Sequence, residues 1–376
     1  MSRTGFRPNF DTLEAREVPA VSIYSMDGGR TLKIVGSKDS DEIRIVQDDT
    51  NDTLEIYSAV LPKSELASVS SVGVQTFTSS TVKKLVIDLG VGNDAFYYSL
   101  AEGSDLNFTK TITLNTGSGN DLVRFETASP RQNLDEFYRQ EALRSAEEAK
   151  ALESGVDRSS SEDVMSLPAF CYAPPMNSTI NAKLVVTLDT GTGNDRVDIN
   201  VGTQADESVV RFTTKLGTGD DSFALTSNYA VGDYAKLIVS VAGGTGNDFI
   251  DATFQGYVAD KGLVDLLLDG DAGDDYLNTS FFNRVDGQFK VHQLGGDGDD
   301  DLNLNSHLTY DSTGFVDVVL DGELGNDTVT YSALGFDDPS VAHVLINGGN
   351  GYNIGKLSRD VTNVNLDVIL WLPPMV

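Results

Sequence analysis

Eight aspartates recur along this chain in a single setting. Each closes a turn of the form Gly-x-Gly-(Asn or Asp)-Asp and is followed two residues later by an apolar side chain. They are Asp94, Asp121, Asp195, Asp221, Asp248, Asp275, Asp300 and Asp327; in two copies Asp271 or Glu323 replaces the first glycine. A carboxylate beside glycines, whose free φ lets main-chain carbonyls turn inward, supplies the all-oxygen shell that a hard cation such as calcium takes. The penultimate residue alternates between Asn and Asp, but the last is always Asp. A turn held only by Asx geometry tolerates Asn or Ser at that point.

Successive final aspartates lie 27, 74, 26, 27, 27, 25 and 27 residues apart. A fixed turn at a fixed period marks one supersecondary unit stacked on itself. Counting back from each final Asp, positions −11, −9 and −7 are mostly apolar, as in Leu184, Val186 and Leu188 or Val264, Leu266 and Leu268. Counting forward, +2 is apolar in every copy: Phe96, Val123, Val197, Phe223, Ile250, Leu277, Leu302 and Val329. Alternation at period two on both sides of the turn gives strand–turn–strand with one inward face. A row of antiparallel hairpins would alternate too, but a near-constant spacing means coils of equal circumference. The expected fold is therefore all-β, a parallel β-helix or β-solenoid of β-roll-like form, with one helical insertion.

Stacking sets neighbouring final carboxylates roughly 4.8 Å apart. Each pair then repels by about 1 kcal/mol in water and roughly 3–4 kcal/mol at an effective dielectric near 20. Such a file calls for counter-ions. A second polar column at −6 (Asp88, Asn115, Asp189, Asp269, Asp321 and Asn347) offers further oxygens, interrupted by Lys215, Ala242 and Leu294.

The irregular stretches divide the chain. Residues 85–355 are the repeat region, and the gap of 74 is one period of 27 carrying an insertion at 126–176. There Leu134, Phe137, Tyr138, Ala142, Ala146, Ala149 and Leu152 fall on one face at helical spacing, predicting an amphipathic helix over about 132–153. It either lies against the solenoid flank or offers a contact through Arg131, Arg139, Arg144 and Tyr138. Residues 21–84 read as degenerate coils, since Asp41 to Asp94 is close to two periods. Residues 344–353 keep the frame without the final Asp, and 356–376 form a cap in which Trp371 is expected to pack.

The turns resemble the RTX (hemolysin-type) calcium-binding nonapeptide, Gly-Gly-x-Gly-x-Asp-x-apolar-x. The nearest copies are Gly243-Gly244-Thr245-Gly246-Asn247-Asp248-Phe249-Ile250 and Gly295-Gly296-Asp297-Gly298-Asp299-Asp300-Asp301-Leu302. The resemblance implies calcium between turns of neighbouring coils, bound by turn carbonyls and by the eight final aspartates. That family carries two nonapeptides per coil and two metal columns. One turn per 25 to 27 residues leaves at most one column here.

The 376 residues include 57 acidic and 27 basic ones, for a net charge of −30. Nothing in the order of residues resembles a basic stripe, so nucleic acid is not an expected partner. No apolar run is long enough to span a membrane. Cys171 is the one cysteine, so no intrachain disulfide forms, and in an exported chain stability would fall to calcium. Modest calcium sites fill at extracellular millimolar levels and stay empty in the cytosol. The opening residues 1–20, with Leu13-Glu14-Ala15-Arg16 and Pro19-Ala20, resemble a short element at the start of exported bacterial surface proteins. The expected role is thus non-catalytic: an exported, extracellular or cell-surface calcium-binding solenoid, structural or adhesive, meeting surface polysaccharide or another surface protein. Two alternatives are a polysaccharide-acting lyase or hydrolase and an ice-binding adhesin module. The first needs acids converging off the turns; the second needs an unbroken hydroxyl array where Thr192, Thr218 and Thr245 alternate with Val91, Ala272, Asp297 and Leu324. His292, His307 and His343 are too scattered in sequence to suggest zinc.

Overall fold

A computed structural model describes residues 21–60, 70–101, 103–129, 179–309, 311–334, 342–358 and 363–372. The N-terminal 20 residues and the proposed helix over 132–153 lie outside them. Each repeat contributes one strand before its turn and one after it, and the two sets form separate thirteen-stranded sheets. The leading sheet stacks, among others, Lys84–Asp88, Asp105–Asn115, Thr179–Asp189, Val209–Thr218, Lys236–Thr245, Leu263–Ala272, Gln288–Asp297 and Phe315–Leu324 in parallel register. The trailing sheet stacks Ala95–Ala101, Leu122–Ser129, Arg196–Val201, Ser222–Ser227, Phe249–Phe254, Tyr276–Asn283, Asp301–Leu308 and Thr328–Leu334 likewise. Sequential strands thus pair with the next coil rather than with each other. The molecule is a parallel β-solenoid.

Register follows the motif. Leu184 pairs with Val210, Val210 with Leu237 and Leu237 with Val264, so each inward position stacks on its equivalent. All eight residues at +2 are fully buried, as are the inward leading-strand positions. The core fills the space between the sheets, with Phe125 of the trailing sheet edge-on to Phe212 of the leading one at 5.4 Å. A shorter third side is marked by single bridges joining Gln204, Val231, Val258 and Val285, all buried. The insertion leaves the stack intact: Thr179–Asp189 pairs with Asp105–Asn115 as though the coils were adjacent in sequence.

The ends differ from the repeats. The 53 residues from Asp41 to Asp94 do not make two coils. Asp41–Asp48 joins the trailing sheet, then Thr53–Val60 and Ser70–Thr78 fold back antiparallel beside it. At the other end Asn363–Asn365 and Val368–Trp371 continue both sheets in parallel. Trp371 is 59% exposed there and does not pack into a cap, since among the described residues no further rung covers Val368–Trp371. Leu366 and Val364 are the side chains that close against the core instead.

At the second glycine of each turn the coils stack too closely for a side chain. Gly246 has φ +129°, and a Cβ there would lie 1.9 Å from the Gly219 carbonyl oxygen of the coil below. Gly28 also has positive φ, at +68°, but faces open space. Gly246→Ala should therefore cost on the order of 3 kcal/mol or more, and Gly28→Ala only about 1 kcal/mol. Urea unfolding of both variants checks this, and equal losses would contradict the packed-turn account.

Candidate metal edge

The final aspartates lie in file along one edge, joined by a side-chain ladder. The amide of Asp94 donates to Asp121 Oδ1 at 2.7 Å, Asp121 to Asp195 at 2.8 Å and Asp195 to Asp221 at 2.7 Å. The series continues through Asp248, Asp275, Asp300 and Asp327 at 2.7–3.0 Å. All eight predicted residues are brought together. Three members outside the predicted set extend the file: Asp41 donates to Asp94, Asp327 to Asn353 Oδ1, and Asn353 to Asp367 Oδ2. The frame pointed at Asp41 and Asn353. Asp367 gave no signal, because it follows Asn353 by only 14 residues.

A second ladder runs beside it in the opposite sense, on the solvent side. The amide of Asn120 donates to Asn93 Oδ1 and that of Asn194 to Asn120 Oδ1. Asp220, Asn247, Asp274, Asp299 and Asn326 continue it, at 2.8–3.2 Å. An exposed rung needs only one acceptor oxygen, which Asn and Asp both carry. That is why the penultimate position varies.

The inner file is different because it is buried. Each final Asp is 1–3% exposed, and each Oδ2 is enclosed with no hydrogen-bond partner. Oδ1 alone serves the ladder, as the amide oxygen of Asn353 shows, so Oδ2 is what distinguishes Asp from Asn here. In the four later coils Oδ2 borders the space that a Cβ on the glycine at −5 would fill. A Cβ on Gly243 would lie 2.5 Å from both Asp248 Oδ2 and the Gly270 carbonyl oxygen of the next coil. The corresponding distances are 2.4 and 2.4 Å at Gly270, 2.4 and 2.7 Å at Gly295, and 2.3 and 2.7 Å at Gly322. In the earlier coils the same position holds Leu89, Thr116, Thr190 and Leu216, all buried. There the Thr116 hydroxyl donates to the Thr190 carbonyl at 2.9 Å, and Thr116 and Thr190 each offset part of the burial that raises Asp121 and Asp195.

Burial raises the carboxyl pKa along the file, and neighbouring carboxylates add to it: Asp94, Asp195 and Asp275 reach about 7. Asp221, Asp248, Asp300 and Asp327 reach about 6 by the same cause. An uncompensated charge in such a place is costly, and a proton or a cation relieves it. The residues present fit a hard cation: every donor is oxygen, and one orphaned carboxylate oxygen is supplied per coil. Among the described residues no three acidic, histidine or cysteine side chains converge on one point. An ion in this file therefore draws on main-chain carbonyls for the rest of its shell. The −6 column does not help. Its members alternate with the buried −5 residues and point outward, Asp269 and Asp321 accepting the amides of Asp271 and Glu323.

Stacking also joins groups that the sequence kept apart. Asp317 lies between His343, 2.8 Å from its Nδ1, and His292, 4.0 Å away, beside a groove of about 370 Å³ that Asp265 and Lys290 also line. On the third side Asp206 accepts the Asp233 amide and Asp233 accepts the Lys261 amide, a minor acidic ladder. Its sequence signal was an acid 15 residues before each following final Asp. Comparison with family models, curated proteins and solved structures returns no match.

The raised carboxyl values fix a sign. An unfolded Asp titrates near 3.9, and the folded file near 6 to 7. Between those values the folded chain holds more protons, so their stabilising effect is complete below the lower value and lost as pH rises through the upper. Metal-free protein should melt at progressively lower temperature from about pH 5 to pH 8. A flat melting profile across that range would contradict the buried, unrelieved file.

Proposed function

We propose that the chain is an exported calcium-binding β-solenoid with a structural or adhesive role at a cell surface, of the RTX type that its turns resemble. The carrying observation is the file of eight buried, unpartnered Oδ2 atoms, one per coil. Asp94, Asp121, Asp195, Asp221, Asp248, Asp275, Asp300 and Asp327 hold the ions, with turn carbonyls completing each shell. The coils ending in Asp248, Asp275, Asp300 and Asp327 supply the roomiest sites, since a glycine at −5 leaves the space beside the carboxylate oxygen free of a side chain. Bound calcium neutralises the file and turns interior repulsion into attraction between coils. Ion binding is then part of the folding free energy. Millimolar affinity suits a chain that becomes rigid only outside the cell.

Two measurements test this together. Millimolar calcium should raise the melting temperature sharply over chelator-treated protein, with metal counting showing several ions per chain. Asp248→Asn keeps the ladder acceptor and removes the charge, as Asn353 does naturally. In chelator it should be as stable as the parent or more so; in calcium it should lose part of the gain and about one ion. Equal melting of the parent in both buffers would leave the aspartates as turn residues alone.

A further inference from the structure

The coil stack assembles a basic stripe that the order of residues hides. Lys84, Lys183, Arg211 and Lys236 lie on successive or next-but-one strands of the leading sheet, within one pleat of a common row. All four are exposed, and Lys215 and Lys33 flank them. The stripe runs along the solenoid axis for roughly 19 Å, four strand spacings of about 4.8 Å. Thr113, Thr187 and Thr213 form an adjoining hydroxyl row in register. None of the four cations has an ion-pair partner among the described residues. In the strands that carry these four, the acids on that outer face are Asp88 and Asp189, both at −6, and Asp105 belongs to the strand between those of Lys84 and Lys183.

The opposite charge gathers toward the other end. Coils ending in Asp275, Asp300 and Asp327 expose Asp271, Asp274, Asp297, Asp299 and Glu323 on the turn edge. Coils nearer the start place Val91, Asn93, Ser118, Asn120, Thr192 and Asn194 at the matching positions. The turn edge is therefore more acidic toward its later coils.

We propose that the basic stripe is the docking surface for the acidic turn edge of a second copy of this chain. Both arrays take their pitch from the same coil stacking, so they match coil for coil over any length, which an unrelated polyanion need not do. A parallel neighbour shifted by three coils, roughly 14 Å, sets Lys183, Arg211 and Lys236 against the coils of Asp271, Asp297 and Glu323. Donor and acceptor surfaces lie on different parts of the chain, so the contact is heterologous and propagates into a staggered row rather than closing as a dimer. The net charge of −30 opposes association at low salt. At physiological salt that repulsion is screened beyond about 8 Å while contacting charges still attract. At about 1 M salt the contact is lost as well. The proposal extends the surface-component reading above, but it stands on charge placement and not on the ion.

Sedimentation velocity of the full chain in millimolar calcium tests it. Wild type should associate reversibly with rising concentration at physiological salt and return to monomer in high salt. Lys183→Glu/Arg211→Glu/Lys236→Glu and Asp271→Lys/Asp297→Lys/Glu323→Lys should each weaken association by about tenfold or more, and mixing the two variants should restore it. Melting of the same samples confirms that the variants fold and keeps the two readings apart. A monomeric wild type with intact calcium-dependent melting overturns the docking proposal alone; association without calcium-dependent melting overturns the calcium reading alone. Wild-type assembly unchanged by both sets of substitutions, or a monomeric chain that binds polygalacturonate through the stripe, also overturns the docking proposal.

Discussion

The fold depends on a carboxylate oxygen of one coil accepting the amide of its neighbour at the same corner. A β-coil that turns sharply must release its main-chain groups from the sheet ladder, and a buried amide without an acceptor costs roughly 1–3 kcal/mol. Asp121 Oδ1 supplies that acceptor for Asp94, and the pattern repeats to Asp367. Burying a row of carboxylates to serve amides creates the second constraint. Their other oxygens lose water and receive nothing from the chain.

The glycines follow from the same corner. Where the turn crosses the coil below, a Cβ on Gly119, Gly193, Gly219 or Gly246 would sit within 2 Å of a carbonyl oxygen. The positions that tolerate a side chain show it: Asp271 and Glu323 take φ +67° where other coils carry glycine. Both substitutions occur where the turn edge is most acidic, and the resulting crowding of Asp321, Asp269 and Asp297 raises the Glu323 carboxyl after burial has begun to do so.

Most of the architecture was legible because it repeats. The spacing of Asp221, Asp248 and Asp275 and the apolar positions around them specify strand, turn and coil length, and the stacked ladders follow. What escaped was whatever depends on neighbours across coils rather than along the chain. Lys183, Arg211 and Lys236 are each an isolated base in the sequence, Lys84 has only Lys83 beside it, and the four become a stripe only in register. His292 and His343 meet at Asp317 for the same reason. The fold-back of Thr53–Val60 was invisible because its length imitates a coil, and the exposure of Trp371 because an aromatic residue near a chain end reads as a closing plug. A polar cluster inside the first coils also gave no pattern. Lys110 is fully buried at a −11 position that is apolar in most later coils, its amine pushed down to about 7 by burial, while Tyr98 donates to Gln47 and Gln47 to Asp49.

The two ladders differ in direction, and this gives the solenoid an order of assembly. The water-facing rung of each coil leans on the coil before it, where solvent can substitute. The enclosed rung leans on the coil after it, where nothing can. A chain released from its leading end therefore carries, at every moment, a newest layer whose sheltered N–H is still waiting for the segment behind. Delivered from the opposite end, each added layer meets a finished acceptor at this corner on arrival.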